Sequence, residues 1–278
     1  MITFDEVLWR SVDLVAFDTE TTGKYPLSAE VCELAAVKWR DGKVVDTFQT
    51  LLKPSRPMDA EVIAIHGITN EMVKNAPSMS EKIGEFRDFI QGAVLMAHHA
   101  PFDLGFMAVE MERFGIELPE EPVLCTSLLS RALFPESVNH RLQTLIEFFG
   151  LEKGTAHRAL DDARACLEVG IKCLEKTGDE QFKAVFEAQG GAILWSRFSM
   201  KALESRAEWA ELIRAIRERK AVSIVYDAGS SPGKARRVQP LGLVRSLDGD
   251  FVVAFDEKDQ RAKRYFLEKV SAVETLPL

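Results

Sequence analysis

The chain has 278 residues, 46% of them hydrophobic and 28% charged, and a formal net charge of −8. That length suits two domains, and the composition excludes disordered, collagen-like and low-complexity classes. No apolar run reaches membrane-spanning length. The charge is uneven: residues 1–176 carry −10, residues 177–205 carry −1 and residues 206–278 carry +3. The acidic first part argues against broad electrostatic docking on a duplex. It leaves open a site that grips one strand end through bound cations, because the ions supply their own positive charge. Residues 1–10 lack the basic-then-apolar order of a signal peptide, so a cytoplasmic location is expected. Cys32, Cys125, Cys166 and Cys173 show no C-x-x-C spacing, which fits buried free thiols in a reducing compartment.

Residues 12–17 (VDLVAF) predict a buried strand that gives way to the polar stretch Asp18-Thr19-Glu20-Thr21-Thr22-Gly23. Residues 31–40 and 43–52 predict two strands joined by Asp41-Gly42, a strong hairpin signal. Ser78 and Glu81 form a capping box opening a helix whose Ile83, Phe86 and Ile90 share one face, and Gly92 lies just past its end. Residues 93–97 predict a second short buried strand, and Pro101 suits the first turn of a helix running to about Phe114. A further helix is expected from near Arg158 to about Lys176. Strands alternating with helices make residues 1–176 an α/β layered domain. Residues 177–205 predict a helical connector broken at Gly190-Gly191, and Trp209, Leu212, Ile213 and Ile216 mark a helix over 206–220. Short strand candidates follow at 222–226, 236–243, 251–255 and 264–266, punctuated by Ser230-Ser231-Pro232-Gly233 and Asp248-Gly249, which suggests a small β-barrel over 206–278.

Asp18 and Glu20 are two apart at the end of a strand, so their side chains point the same way. Two carboxylates there repel each other and lose hydration, a cost that a cation between them resolves; a polar strand end starting a turn is the alternative. Asp103 falls in the first turn of a helix just after a buried strand, where an acid also simply favours the helix dipole. Helical phase separates the next two acids. Asp161 shares its stripe with Glu168, Lys172 and Glu175, a solvated face, whereas Asp162 shares its stripe with Ala159, Cys166, Val169 and Cys173. An acid on an apolar stripe is costly unless paired or metal-bound, so Asp162 is the candidate ligand. His157 lies in the loop before this helix and can swing toward the same place. A surface or capping role remains open for it.

Together these segments resemble the DEDDh (DnaQ-like) exonuclease family over about residues 11–175. The motifs are Phe17-Asp18-Thr19-Glu20-Thr21-Thr22-Gly23, His98-His99-Ala100-Pro101-Phe102-Asp103 and His157-Arg158-Ala159-Leu160-Asp161-Asp162-Ala163, supported by His66-Gly67-Ile68-Thr69 and Asn139-His140-Arg141-Leu142. The family usually has Asn where this chain has His99. The resemblance implies a ribonuclease-H-like fold with a mixed central sheet, and 3′–5′ exonuclease chemistry releasing nucleoside 5′-monophosphates from a single-stranded or frayed end, DNA favoured over RNA. It implies two Mg2+ ions, with Mn2+ as a substitute, held by Asp18, Glu20, Asp103 and Asp162, and a neutral His157 as the proton acceptor. It places Thr19, Thr21, Ile65, His66 and Phe102 against the 3′-terminal nucleotide, and it implies partners among DNA polymerases or other repair proteins. Residues 206–278 resemble a WYL domain through Val222–Tyr226, Arg236-Arg237-Val238-Gln239-Pro240-Leu241 and Arg264-Tyr265-Phe266-Leu267, with Asp250-Phe251-Val252 at the namesake triplet. Arg236, Arg237, Arg245, Lys263 and Arg264 are candidates for an anion-binding surface there, solvated strand edges being the alternative. A non-catalytic nucleic-acid-binding regulator that keeps the exonuclease fold as scaffold is the competing function; a missing acid or histidine would favour it, and all five positions are filled.

Overall fold

In the computed structural model, which describes residues 4–229 and 232–276, the first apolar run becomes β1 (Leu14–Thr21). The strand does not stop at Asp18 as expected. Its antiparallel ladder with β2 (Val31–Arg40) continues through Asp18 opposite Ala35 and Glu20 opposite Glu33, so backbone pairing carries the acids inside the sheet. The Asp41-Gly42 turn leads into β3 (Lys43–Leu51), with Asp41 and Gly42 both at positive φ, as such a hairpin requires. Two short helices that the hydrophobic pattern did not reveal follow, α1 (Ala60–His66) and α2 (Asn70–Val73). In α3 (Met79–Phe89) the capping box forms, the Glu81 carboxylate accepting the Ser78 N–H at 2.7 Å. Next come β4 (Val94–Ala97), α4 (Pro101–Arg113), β5 (Val123–Cys125), α5 (Thr126–Leu133), α6 (Leu142–Phe149), α7 (Ala159–Thr177) and α8 (Phe182–Gln189).

The sheet order is β3-β2-β1-β4-β5, antiparallel on the β3 side of β1 and parallel on the other, a mixed sheet. Alternation along β1 sends Leu14 and Ala16 toward α7, where Ala163, Cys166, Val169 and Cys173 complete a core. Phe17 faces the other way and meets Phe86 of α3 at 5.9 Å and Trp195 at 6.1 Å between ring centroids. Gly170 lets α7 close on β4, because a Cβ there would lie 2.4 Å from Met96 Sδ. All four cysteines are buried and free, and no helix among the described residues is long and apolar enough to cross a membrane.

The chain divides into two units. The first contains Met1–Thr22, Val31–Leu104 and Ile116–Trp195; the second contains Gly23–Glu30, Gly105–Gly115 and the chain from Ser196 onward. The expected connector is shared between them. Phe182, Val185 and Phe186 of α8 fill the first core, whereas Met200 and Leu203 of α9 (Met200–Glu204) fill the second. In the second unit, α10 (Ala207–Glu218) buries Trp209, Leu212, Ile213 and Ile216 against β6 (Val222–Tyr226), β7 (Lys234–Val244), β8 (Phe251–Asp256), β9 (Arg261–Phe266) and β10 (Val270–Thr275). These strands form an antiparallel sheet in the order β10-β6-β7-β8-β9. Among the described residues no ladder joins β9 to β10, so the expected barrel is present as an open five-stranded sheet. The turn expected at Ser230-Ser231 lies outside the described residues. Gly242 is required inside this unit, since a Cβ would fall 2.1 Å from Tyr25 Cβ.

Candidate active site

Thr19 ties the acids of β1 to the start of α4. Its N–H and its hydroxyl both donate to Asp103 Oδ1, at 3.0 and 2.7 Å, and Asp103 is buried. On α7, Asp162 lies in the first turn, 9% exposed, and its Oδ2 accepts the His157 N–H at 3.0 Å. His157 is in the left-handed region at φ 59°, an uncommon conformation for a residue other than glycine. This bend brings its exposed ring back to the carboxylates: donor atoms of Glu20, His157 and Asp162 all lie within 4.8 Å of one another.

The electrostatics show a concentration of negative charge. Withdrawal from water raises the Asp18 carboxyl well above its usual range, and Asp103, Glu20, Asp162 and Glu33 push it the same way. Glu20 is pushed up to about 8, by burial first and then by Asp162, Glu33 and Asp103. Burial lifts Asp103 to about 7 against the opposing hydrogen bonds from Thr19. Asp162 is raised by burial, with the His157 N–H working in the other direction. Four acids that discourage one another's ionisation are costly together unless a cation neutralises them. A donor set of carboxylate oxygens with one imidazole suits a divalent ion.

The two neighbouring acids of α7 differ in burial, Asp162 being the buried one. Asp161 is partly exposed, 3.9 Å from Arg164, and its Oδ2 accepts the Thr155 N–H at 2.8 Å, steadying the loop before the helix. His66 is 4% exposed. Its Nδ1 accepts the Ile68 N–H at 3.0 Å, burial lowers its pKa, and its ring is hydrogen-bonded to the Thr21 backbone. His66 is therefore drawn to β1, whereas Ile65, its neighbour in α1, is 58% exposed. Thr19 and Thr21 are buried in β1, and Phe102 is partly exposed in the first turn of α4 beside Asp103. His98 is held by Thr126 Oγ1 at 2.9 Å and the His140 carbonyl at 3.0 Å, and burial lowers its pKa to about 4, a neutral structural ring. His99 has φ 67°, a left-handed position where Asn and His are both enriched, so the exchange of Asn for His keeps the loop's turn.

Sequence reasoning missed Glu33. It is fully buried on β2, opposite Glu20, and accepts Arg158 Nε at 3.1 Å, Arg158 Nη2 at 2.9 Å, the Ala159 N–H at 3.1 Å and Gln49 Nε2 at 3.0 Å. Burial alone would raise its pKa; these donors prevail and lower it. The signal was an acid inside the apolar run Val31-Cys32-Glu33-Leu34-Ala35-Ala36-Val37, the same anomaly that marked Asp162. Acids lie close to most of the candidate anion-binding residues of the second unit. Arg236 and Lys263 lie 3.7 and 2.9 Å from buried Asp256, Arg237 lies 2.9 Å from Glu257, and Arg245 is buried 3.0 Å from Asp250. Arg264 lies 5.1 Å above the Phe251 ring. Four of the five cations thus lie beside acids at or just outside the ends of β8, pairings that a charge count along the chain could not assign.

Residues 15–169 match the family model described as Exonuclease, and residues 208–275 match that of the WYL domain. The DNA polymerase III PolC-type of Caldanaerobacter subterraneus subsp. tengcongensis is 41% identical over 175 residues, covering 63% of this chain and 12% of that protein. The PolC-type protein of Bacillus subtilis is 38% identical over 167 residues, 60% of this chain and 12% of that protein. The chain thus spans about an eighth of the length of these relatives. Among solved structures, exonuclease X in complex with 5′ overhanging duplex DNA superposes with a TM-score of 0.51 at 27% identity, covering 64% of this chain and 99% of that one. An Escherichia coli exonuclease I–single-stranded DNA complex has a TM-score of 0.53 at 17% identity, over 88% and 54%, a likeness of fold alone. With more than half of its length matched by the Exonuclease model and a WYL domain after it, the chain belongs to the Exonuclease family of nucleic-acid hydrolases.

Proposed function

We propose that the protein is a 3′–5′ exonuclease that removes nucleoside 5′-monophosphates from a single-stranded or frayed end, with DNA favoured over RNA. The observation that carries this reading is the meeting of Glu20, His157 and Asp162 donor atoms within 4.8 Å, with Asp18 and Asp103 in electrostatic reach of them. Asp18, Glu20, Asp103 and Asp162 would hold two Mg2+ ions, or Mn2+ in their place. Bound there, such cations supply water activation and charge neutralisation for an in-line displacement at phosphorus. A ring nitrogen of His157 takes the proton of the attacking water; an imidazole suits this because its reference pKa lies close to neutrality. Thr19, Thr21, Ile65, His66 and Phe102 orient the terminal nucleotide, His66 through its anchorage on the Thr21 backbone. DNA in the exonuclease X complex and the polymerase relatives support a DNA end as substrate and a polymerase as partner; a repair protein as partner and a cytoplasmic location belong to the same reading. On this reading residues 1–176 are the exonuclease domain, 177–205 the connector and 206–278 the WYL-like domain.

The test uses the full chain on matched DNA and RNA single strands labelled at the 5′ end, with Mg2+ and with EDTA. A ladder shortening from the 3′ end, abolished by EDTA and by Asp18→Ala, is expected. Binding without shortening would instead support a non-catalytic regulator.

A further inference from the structure

The loop that carries His157 is held at its surface by an ion pair of Lys153 with Glu147 at 2.8 Å. Residues 152–157 are all exposed, and the ring enters the site only because the backbone turns through a left-handed conformation. Two acids of α7 hold the loop through backbone N–H groups, Asp161 at Thr155 and Asp162 at His157 itself. One of those anchors is the carboxylate that His157 must stand beside, so it cannot by itself fix their separation. Besides the Asp161 bond, the anchor that does not rely on that carboxylate is Arg158, next to His157 in the chain. Its guanidinium is gripped at two points by Glu33, whose Oε2 also accepts the N–H of Ala159, the first residue of α7. The Arg158 carbonyl in turn accepts the Asp162 N–H at 3.0 Å.

We infer that the buried Glu33–Arg158 pair is the positioning device of the site, setting His157 and Asp162 against Glu20; the inference rests on the exonuclease reading above. Charge makes the choice of an acid at position 33 informative. Glu33 adds repulsion to Asp18, Glu20 and Asp162. A residue there for stability alone would serve better as an apolar side chain, since well-packed hydrophobic replacements of buried ion pairs are often neutral or stabilising. What only a carboxylate provides is simultaneous capture of a planar two-pronged guanidinium and a helix N-terminal N–H. The register completes the device. Glu33 is the direct cross-strand partner of Glu20, so β2 transmits the position of one metal-facing acid to the turn that carries the histidine.

The test is a double-mutant cycle on the full chain. Glu33→Gln is nearly isosteric but places an amide against donors; Arg158→Lys keeps the charge and loses the fork, and serves if Glu33→Gln fails to fold. Each variant is first shown folded by its thermal transition. Each is expected to lower kcat by about 10–100-fold with KM little changed, the range for partners that orient metal-site ligands. In the His157→Ala background the same change should lower the residual rate less, because only Asp162 then remains to be positioned. A purely structural pair would reduce the melting temperature while leaving kcat per folded molecule intact, and that result overturns the inference. Equal losses with and without His157 would overturn it too. If His157→Ala itself retains full activity, the exonuclease mechanism fails, an outcome separate from either of these.

Discussion

Crowded carboxylates should make the metal-free protein less stable as pH rises, and the effect can be sized at Glu20. An acid whose pKa is raised on folding keeps its proton in the folded state over a range where the unfolded chain has lost it. The folded state therefore binds more protons there, and stability falls as pH climbs from the unfolded pKa to the folded one. For Glu20 that window runs from the ordinary glutamate range up to about 8. Buried neutral histidines act oppositely: His98, held at about 4, adds stability as pH rises toward the usual histidine value near ~6.5, and nothing more beyond it. The clean interval is therefore from roughly 6.5 to 8, where each pH unit can cost up to about 1.4 kcal/mol per group, or about 2 kcal/mol for Glu20. At about 2–4 °C per kcal/mol, the metal-free protein should melt about 4–8 °C lower at the upper end. Glu20→Gln removes the group and should flatten the slope, leaving the variant more stable than the parent at the upper pH. Mg2+ should raise the melting temperature most where the carboxylates are ionised. Calorimetry of both proteins across that interval, with EDTA or Mg2+, makes the comparison. Identical slopes in parent and variant, or a Mg2+ increment that does not grow with pH, would refute the electrostatic reasoning.

Three further outcomes follow from single positions. Asp162→Asn should lower exonuclease activity by more than about 100-fold, whereas Asp161→Asn, which retains an acceptor for the Thr155 N–H, should stay within about threefold; equal losses in a steady-state assay would contradict the phase argument. Asp256→Asn should destabilise the second unit by about 3 kcal/mol in denaturant unfolding, because fully buried Asp256 serves the Tyr265 hydroxyl, Lys263 and two backbone N–H groups. Gly170→Ala should cost about 1–3 kcal/mol by thermal unfolding, since the added methyl meets Met96 Sδ inside a packed core.

Periodicity and local chemistry in the sequence determined a good part of this protein. Helical phase is a local property, so it separated Asp162 from Asp161 without any tertiary information. Hairpin, capping-box and proline signals placed β2, β3, α3 and the start of α4 for the same reason. The short α1, α2 and β5 carry too few residues to show a period, and they emerged only in the structure. Tertiary pairing alone decided that β1 runs on through Asp18 and Glu20, because a strand's end depends on where its neighbour stops donating. It alone set Glu33 across from Glu20 and beneath Arg158, 125 residues away in the chain. It also set Arg236, Arg237, Arg245 and Lys263 of a net positive segment beside acids of the same segment. A sequence records which charges exist; which of them meet depends on distances that only the folded chain fixes.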